Sequence, residues 1–91
     1  MKMKNMISTN GNPVANQFVV ETEDGKYFQS YDKVIAYIDN NGKILLDIKY
    51  WNYSRTTGKY RSVFLGESKA ETLAKITSGK YPLKDLNKIS E

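Results

Sequence analysis

The sequence predicts an α+β domain: a twisted antiparallel β-sheet of four to six strands, built of hairpins, with one C-terminal helix on one face. Two features carry that prediction. Short runs rich in Val, Ile, Phe and Tyr recur between turn residues from Gln17 to Leu65, the pattern of strands and hairpins. Ser68-Lys69-Ala70-Glu71 then matches a capping box and opens a stretch with apolar residues at helical spacing. The 91 residues allow one domain. A chain this short buries only roughly 60–65% of the surface its unfolded form exposes, so a thin core is expected.

Residues 1–16 are rich in Asn, Ser, Thr, Gly and Pro, with no period among their apolar residues. They read as a flexible leader ending in a turn at Asn12-Pro13. The single domain is expected over 17–87, with a frayed tail at 88–91. The first strand should run from Gln17 to Thr22, and Glu23-Asp24-Gly25 turns it into Lys26–Tyr31. Lys33–Asp39 fits a short helix or a strand, and Asn40-Asn41-Gly42 followed by Ile44–Ile48 favours the strand. A three-residue turn with Gly42 left-handed pairs Ile38 with Ile44, Ala36 with Leu46 and Val34 with Ile48. That register places one apolar row toward the core.

Continued parity sends Lys49, Trp51, Tyr53 and Arg55 to the outer face, with Tyr50 inward. A second hairpin is expected at Thr56-Thr57-Gly58, with Lys59–Leu65 as the last strand. The register of that turn stays open, so either Arg61 or Tyr60 joins the outer face. Gly66 ends the sheet, the helix runs about Lys69–Ser78, and Gly79 stands at a C-cap position. Tyr81–Leu86 is expected to be extended or a single turn, docking Leu83 and Leu86. The expected core is Phe18 or Val19, Val20, Val34, Ala36, Ile38, Ile44, Leu46, Ile48, Leu73, Ile76 and Leu83.

Composition narrows the function. There is no cysteine and no histidine, which removes disulfides, thiolate metal sites and the commonest general base. The chain is therefore read as non-catalytic, with no cofactor or metal. The opening Met1–Ile7 is too short and polar for a signal peptide, and no membrane span is present. A cytoplasmic protein is expected.

The formal charge of +4 is unevenly spread. Residues 17–39 are net acidic, whereas Lys43, Lys49, Arg55, Lys59 and Arg61 face Asp47 alone. Five of the eight Tyr and Trp rings also fall between Tyr37 and Tyr60. Basic groups neutralise phosphates and aromatic rings stack on bases or sugars. Tyr and Trp are equally good strand formers that stabilise small sheets on their own. The ring-rich Tyr27–Tyr31 run reads as a half-buried strand. The acidic turn at Glu21, Glu23 and Asp24 lacks the ligand spacing of a calcium loop. Ser68-Lys69 reads as a cap rather than a nucleophile–base pair.

The order of elements through Phe64-Leu65-Gly66 and Glu67-Ser68-Lys69-Ala70-Glu71-Thr72-Leu73-Ala74-Lys75-Ile76 resembles two DNA-binding designs over residues 43–78. They are the plant ethylene-response-type domain and the arm-site-binding domain of conjugative-transposon integrases. Both imply a three-stranded sheet laid into the major groove. The chain departs from them in having only two arginines and in adding the Phe18–Tyr31 hairpin. The stretches Tyr27–Tyr31, Trp51–Thr57, Tyr60-Arg61 and Phe64–Glu67 are similar in style to small uncharacterised phage and plasmid proteins of Gram-positive bacteria. Those families include regulators and anti-CRISPR-like inhibitors.

The expected function is a nucleic-acid-binding accessory module of a phage or mobile element. Lys49, Lys59 and Arg61 would hold phosphates, Trp51 and Tyr53 would pack on sugar or base, and Arg55 would supply sequence preference. The alternative is a small inhibitor of a host or defence protein that uses the same face. A monomer, or a homodimer paired through an edge strand, suits either reading.

Overall fold

A computed structural model describes residues 1–88. Six strands form one sheet in chain order: β1 (Lys2–Ile7), β2 (Pro13–Glu21), β3 (Gly25–Ser30), β4 (Lys33–Asp39), β5 (Ile44–Asp47) and β6 (Leu83–Lys84). Two helices, α1 (Arg55–Leu65) and α2 (Lys69–Thr77), stand between β5 and β6. The α+β class holds. The sheet, however, is mixed rather than wholly antiparallel, because β6 returns after two helices and pairs parallel to β5. A crossover of that length is what a parallel pairing needs.

The leader is the first correction. Lys2–Ile7 pairs antiparallel with β2, and β2 itself begins at Pro13. The connection closes on Ser8, whose carbonyl accepts from Gly11 and whose amide donates to Asn12. Polar composition was a poor guide here, since β1 is an edge strand and needs inward side chains only at Met6. Of the tail expected to fray, all but Lys88 lies outside the described residues.

The middle of the sheet follows the expected register. Ile38 pairs with Ile44 and Ala36 with Leu46, around a turn where Gly42 has φ 85°. The pairing of Val34 with Ile48 does not form, for two reasons. β4 carries a bulge: Phe28 pairs with Ala36 but Gln29 pairs with Val34, leaving Ile35 as the extra residue. Ile35 and Ala36 are consequently both fully buried, and Val34 is only half-buried. Asn87 clips the bulged strand, accepting from the Val34 amide at 2.7 Å and donating to its carbonyl at 2.9 Å.

The second reason is Asp47. Its carboxylate accepts from the amides of Lys49 (3.0 Å), Tyr50 (2.8 Å) and Leu86 (2.8 Å). That Asx-type turn takes the chain out of the sheet after one more residue. Ile48 is left 57% exposed. Trp51 therefore lies in a turn and Tyr53 in the irregular segment before α1, neither on a strand.

The expected hairpin at Thr56–Gly58 and strand at Lys59–Leu65 are replaced by α1. Ser54 is its N-cap, accepting from the Thr57 amide at 3.1 Å. Thr57, Tyr60, Arg61 and Phe64 recur at i, i+3, i+4 and i+7 and form the stripe that meets the sheet. Thr57 Oγ1 lies 2.8 Å from Ser30 Oγ, and the rings of Phe64 and Phe28 lie 5.8 Å apart. Gly66 closes α1 with an amide bonded to the Ser62 carbonyl. Residues 43–78 thus hold β5 and both helices, not the three-stranded sheet that the resemblance to DNA-binding domains implies.

α2 forms as expected, with both halves of its capping box in place and Ser78 as C-cap. The core, however, differs in membership. It consists of Met6, Phe28, Ile35, Ala36, Leu46, Tyr60 and Tyr81, with Val19, Ile44, Ile76 and Leu83 packed against it. Val20 is buried as expected. Leu73 is 48% exposed, because α2 turns Thr72 inward instead. Thr72 donates to the Glu67 carboxylate at 2.5 Å.

Candidate nucleic-acid interface

Of the six residues singled out by charge and aromaticity, Arg55, Lys59 and Arg61 border one groove, and Lys49, Trp51 and Tyr53 do not. Lys49 is exposed in the turn after β5, and its amide is held by Asp47. Tyr53 is 55% exposed and packs edge-on against Tyr50, 5.4 Å between centroids. Arg55 and Lys59 are exposed on α1, one turn apart. Trp51 is half-buried. Arg61 is 1% exposed and so is not the free phosphate contact expected of it.

Arg61 is instead a packed cation. Its Nη1 donates to the Trp51 carbonyl at 2.6 Å and to Asn52 Oδ1 at 3.4 Å, and its guanidinium lies 5.1 Å from the Trp51 ring. Its Nε has no hydrogen-bond partner. Among the described residues, the ion pairs are Lys4–Glu21 and Lys75–Glu67, so no carboxylate is paired with Arg61. Burial lowers its proton affinity, an effect that the field of Glu67 partly offsets. A buried cation lacking a carboxylate partner is costly to a fold unless an anion reaches it.

The groove that reaches Arg61 runs along α1. Arg55, Gly58, Lys59 and Ser62 form a second stripe at i, i+3, i+4 and i+7, beside the stripe that meets the sheet. With Asn52, Ser54 and Lys69 they border an open groove of about 580 Å³, and Arg61 lies in its wall. Four of the eight bordering residues are cationic and none is acidic. Sequence reasoning missed Lys69 as a neighbour of the other cations, because that proximity exists only once residues 55–65 are a helix. The available signal was Ser54-x-x-Thr57 followed by Tyr60, Arg61 and Phe64 at helical spacing. Gly58 outweighed it as a turn signal.

α1 is also unusual at its start. Its first turn holds no acidic residue and opens on Arg55. A cation there opposes the positive end of the helix dipole, at a cost of about 0.3–1 kcal/mol. Gly58 in the helix interior costs a further ~1 kcal/mol relative to Ala. A Cβ at that position would come no closer than 3.8 Å to any neighbour, so packing does not demand the glycine.

A second polar cluster lies outside the groove. Glu67 accepts from Lys75 Nζ (2.7 Å), Tyr81 Oη (2.8 Å) and Thr72 Oγ1, tying the α1–α2 turn to α2 and to the segment entering β6. Among the described residues no helix is long and apolar enough to cross a membrane.

No curated protein matches the chain, and no solved structure does. A family model does match, over residues 1–80, a span that takes in β1 to β5 and both helices. The chain therefore belongs to the family of unknown function DUF8033.

Proposed function

We propose that the protein is a non-catalytic nucleic-acid-binding module whose contact surface is the groove face of α1. The observation that carries this reading is the groove itself. Arg55, Lys59, Arg61 and Lys69 border it with no carboxylate among them. Such a surface suits a polyphosphate backbone, which needs closely spaced cations and no opposing charge. The uncompensated N-terminus of α1 adds a partial positive charge on the same side. Asn52 supplies an amide of the kind that reads base edges, and Tyr53 an exposed ring for stacking. Trp51 lies beneath, against Arg61, rather than on the ligand.

The test is a titration of Trp51 fluorescence with mixed-sequence single- and double-stranded DNA at several salt concentrations. Three to four phosphate contacts predict a log–log salt slope of about −2 to −3.5. The double variant R55E/K59E should abolish binding while leaving the circular dichroism spectrum intact. Absence of any signal at low salt with folded protein, or a salt-independent affinity, refutes the reading. The second result would favour the other candidate, a protein partner. Tyr53 and Val63, 55% and 57% exposed, would then serve as apolar anchors.

A further inference from the structure

We infer that Gly58 is a window in α1 through which Arg61 receives a single phosphate group. The inference deepens the nucleic-acid reading of this face and rests on it for the source of the phosphate. The geometry that points to it is local. A Cβ built on Gly58 would stand 3.8 Å from both Nη1 and Nη2 of Arg61 and 3.8 Å from Asn52 Oδ1. Nothing else comes nearer, and Gly58 lies within an ordinary helical run. Neither sterics nor backbone conformation requires glycine there. What its missing side chain leaves is a methyl-sized gap beside both Nη atoms, at the wall of the open groove.

The fork is prepared to use that space. Nη1 is anchored to the Trp51 carbonyl, and the guanidinium lies against the Trp51 ring, which together fix its plane. Nη1 is shared between the Trp51 carbonyl and Asn52 Oδ1, so Nη2 is the donor left at the gap for a phosphate oxygen, in a charge-assisted hydrogen bond. Arg61 is 1% exposed, its Nε is unpartnered, and among the described residues it has no carboxylate partner. Arg55, Lys59 and Lys69 border the same groove and would share the remaining charge of the phosphate. Exposed cations alone would bind a backbone loosely at any register. A recessed arginine under a glycine adds one defined seat.

The experiment compares wild type, Gly58→Ala and Gly58→Ser, using inorganic phosphate and then DNA as probes, with Trp51 fluorescence and thermal melting as readouts. Sodium chloride at matched ionic strength is the control. Wild type should show a saturable phosphate response, because the occupied guanidinium lies against the indole. Gly58→Ala should melt several degrees higher, since it removes a helix-interior glycine. It should nevertheless bind phosphate and DNA about tenfold more weakly, and Gly58→Ser should match it if alanine fails to fold. Equal affinities for wild type and both variants overturn the seat but leave the nucleic-acid reading standing if the DNA salt slope persists. Phosphate binding lost in the variants, with no DNA binding by wild type, keeps the seat and points to a free phosphate or nucleotide. No phosphate response in wild type overturns the seat.

Discussion

Replacing Glu67 with alanine should cost the fold about 3 kcal/mol. Its carboxylate side chain is 6% exposed and accepts from two nearly buried hydroxyls, those of Thr72 and Tyr81, besides Lys75. Thr72 and Tyr81 are 0% and 4% exposed. A buried hydroxyl stripped of its acceptor costs roughly 1–3 kcal/mol, so two of them give the figure above after partial relaxation. For a domain of this size that is a fall in Tm of about 12–24 °C. Burial of Glu67 alone would raise its pKa, but the hydrogen bonds from Lys75, Thr72 and Tyr81 outweigh burial and hold it below the ordinary 4.5. A carboxylate whose folded pKa is depressed stabilises the fold above its unfolded pKa. That stabilisation fades as pH falls through the folded value. The Tm gap between wild type and Glu67→Gln should therefore be full at neutral pH and shrink below about pH 4. Lys75 and Tyr81 are both raised above their ordinary values, so their share is lost only in alkali, above about pH 10. Thermal melts between pH 3 and neutrality, about one unit apart, measure the effect. A loss below about 1 kcal/mol in Glu67→Ala, or a wild-type-to-Gln gap that does not change with pH, would refute this account of the cluster.

Three further changes test the fold that positions the groove. Phe28→Ala removes a fully buried ring packed on Phe64, and urea unfolding should show a loss of about 3–5 kcal/mol. Gly25→Ala should be destabilising by about 3 kcal/mol, because its Cβ would stand 2.2 Å from the Ile38 carbonyl oxygen and 2.7 Å from Asp39 Cα. A Tm equal to wild type would mean that the β3–β4 pairing at that end is wrong. Ser54→Ala removes the N-cap of α1 and should cost about 1 kcal/mol. Its effect on DNA affinity should exceed that of an equally destabilising change in β1, since Ser54 also borders the groove.

The sequence by itself determined the parts of this protein whose signals are local. The Asn40–Gly42 turn brings its own positive-φ glycine, so the β4–β5 register follows from residues within a few positions of it. The capping box at Ser68–Glu71 is satisfied inside a single helical turn, and α2 follows from it. The concentration of cations between Lys43 and Lys69 is a property of the sequence alone. Tertiary structure decided the rest. Residues 55–65 carry Gly58, two adjacent threonines and a valine, which weigh locally against a helix. They form one because Thr57, Tyr60 and Phe64 then meet β3 and β4, and a strand would put Thr57 on the face opposite Tyr60 and Phe64. The same choice changed Arg61 from a surface cation into a buried one with its guanidinium 5.1 Å from the Trp51 ring. Strand β1 depends likewise on a partner supplied by β2, and its own polar residues gave no sign of it. Ile35 and Thr72 are inside, and Ile48 and Leu73 outside, because a bulge, an Asx turn and a carboxylate acceptor set the parity of those elements. The bulge depends on pairing with β3, and the other two are side-chain hydrogen bonds; periodicity alone sees none of them.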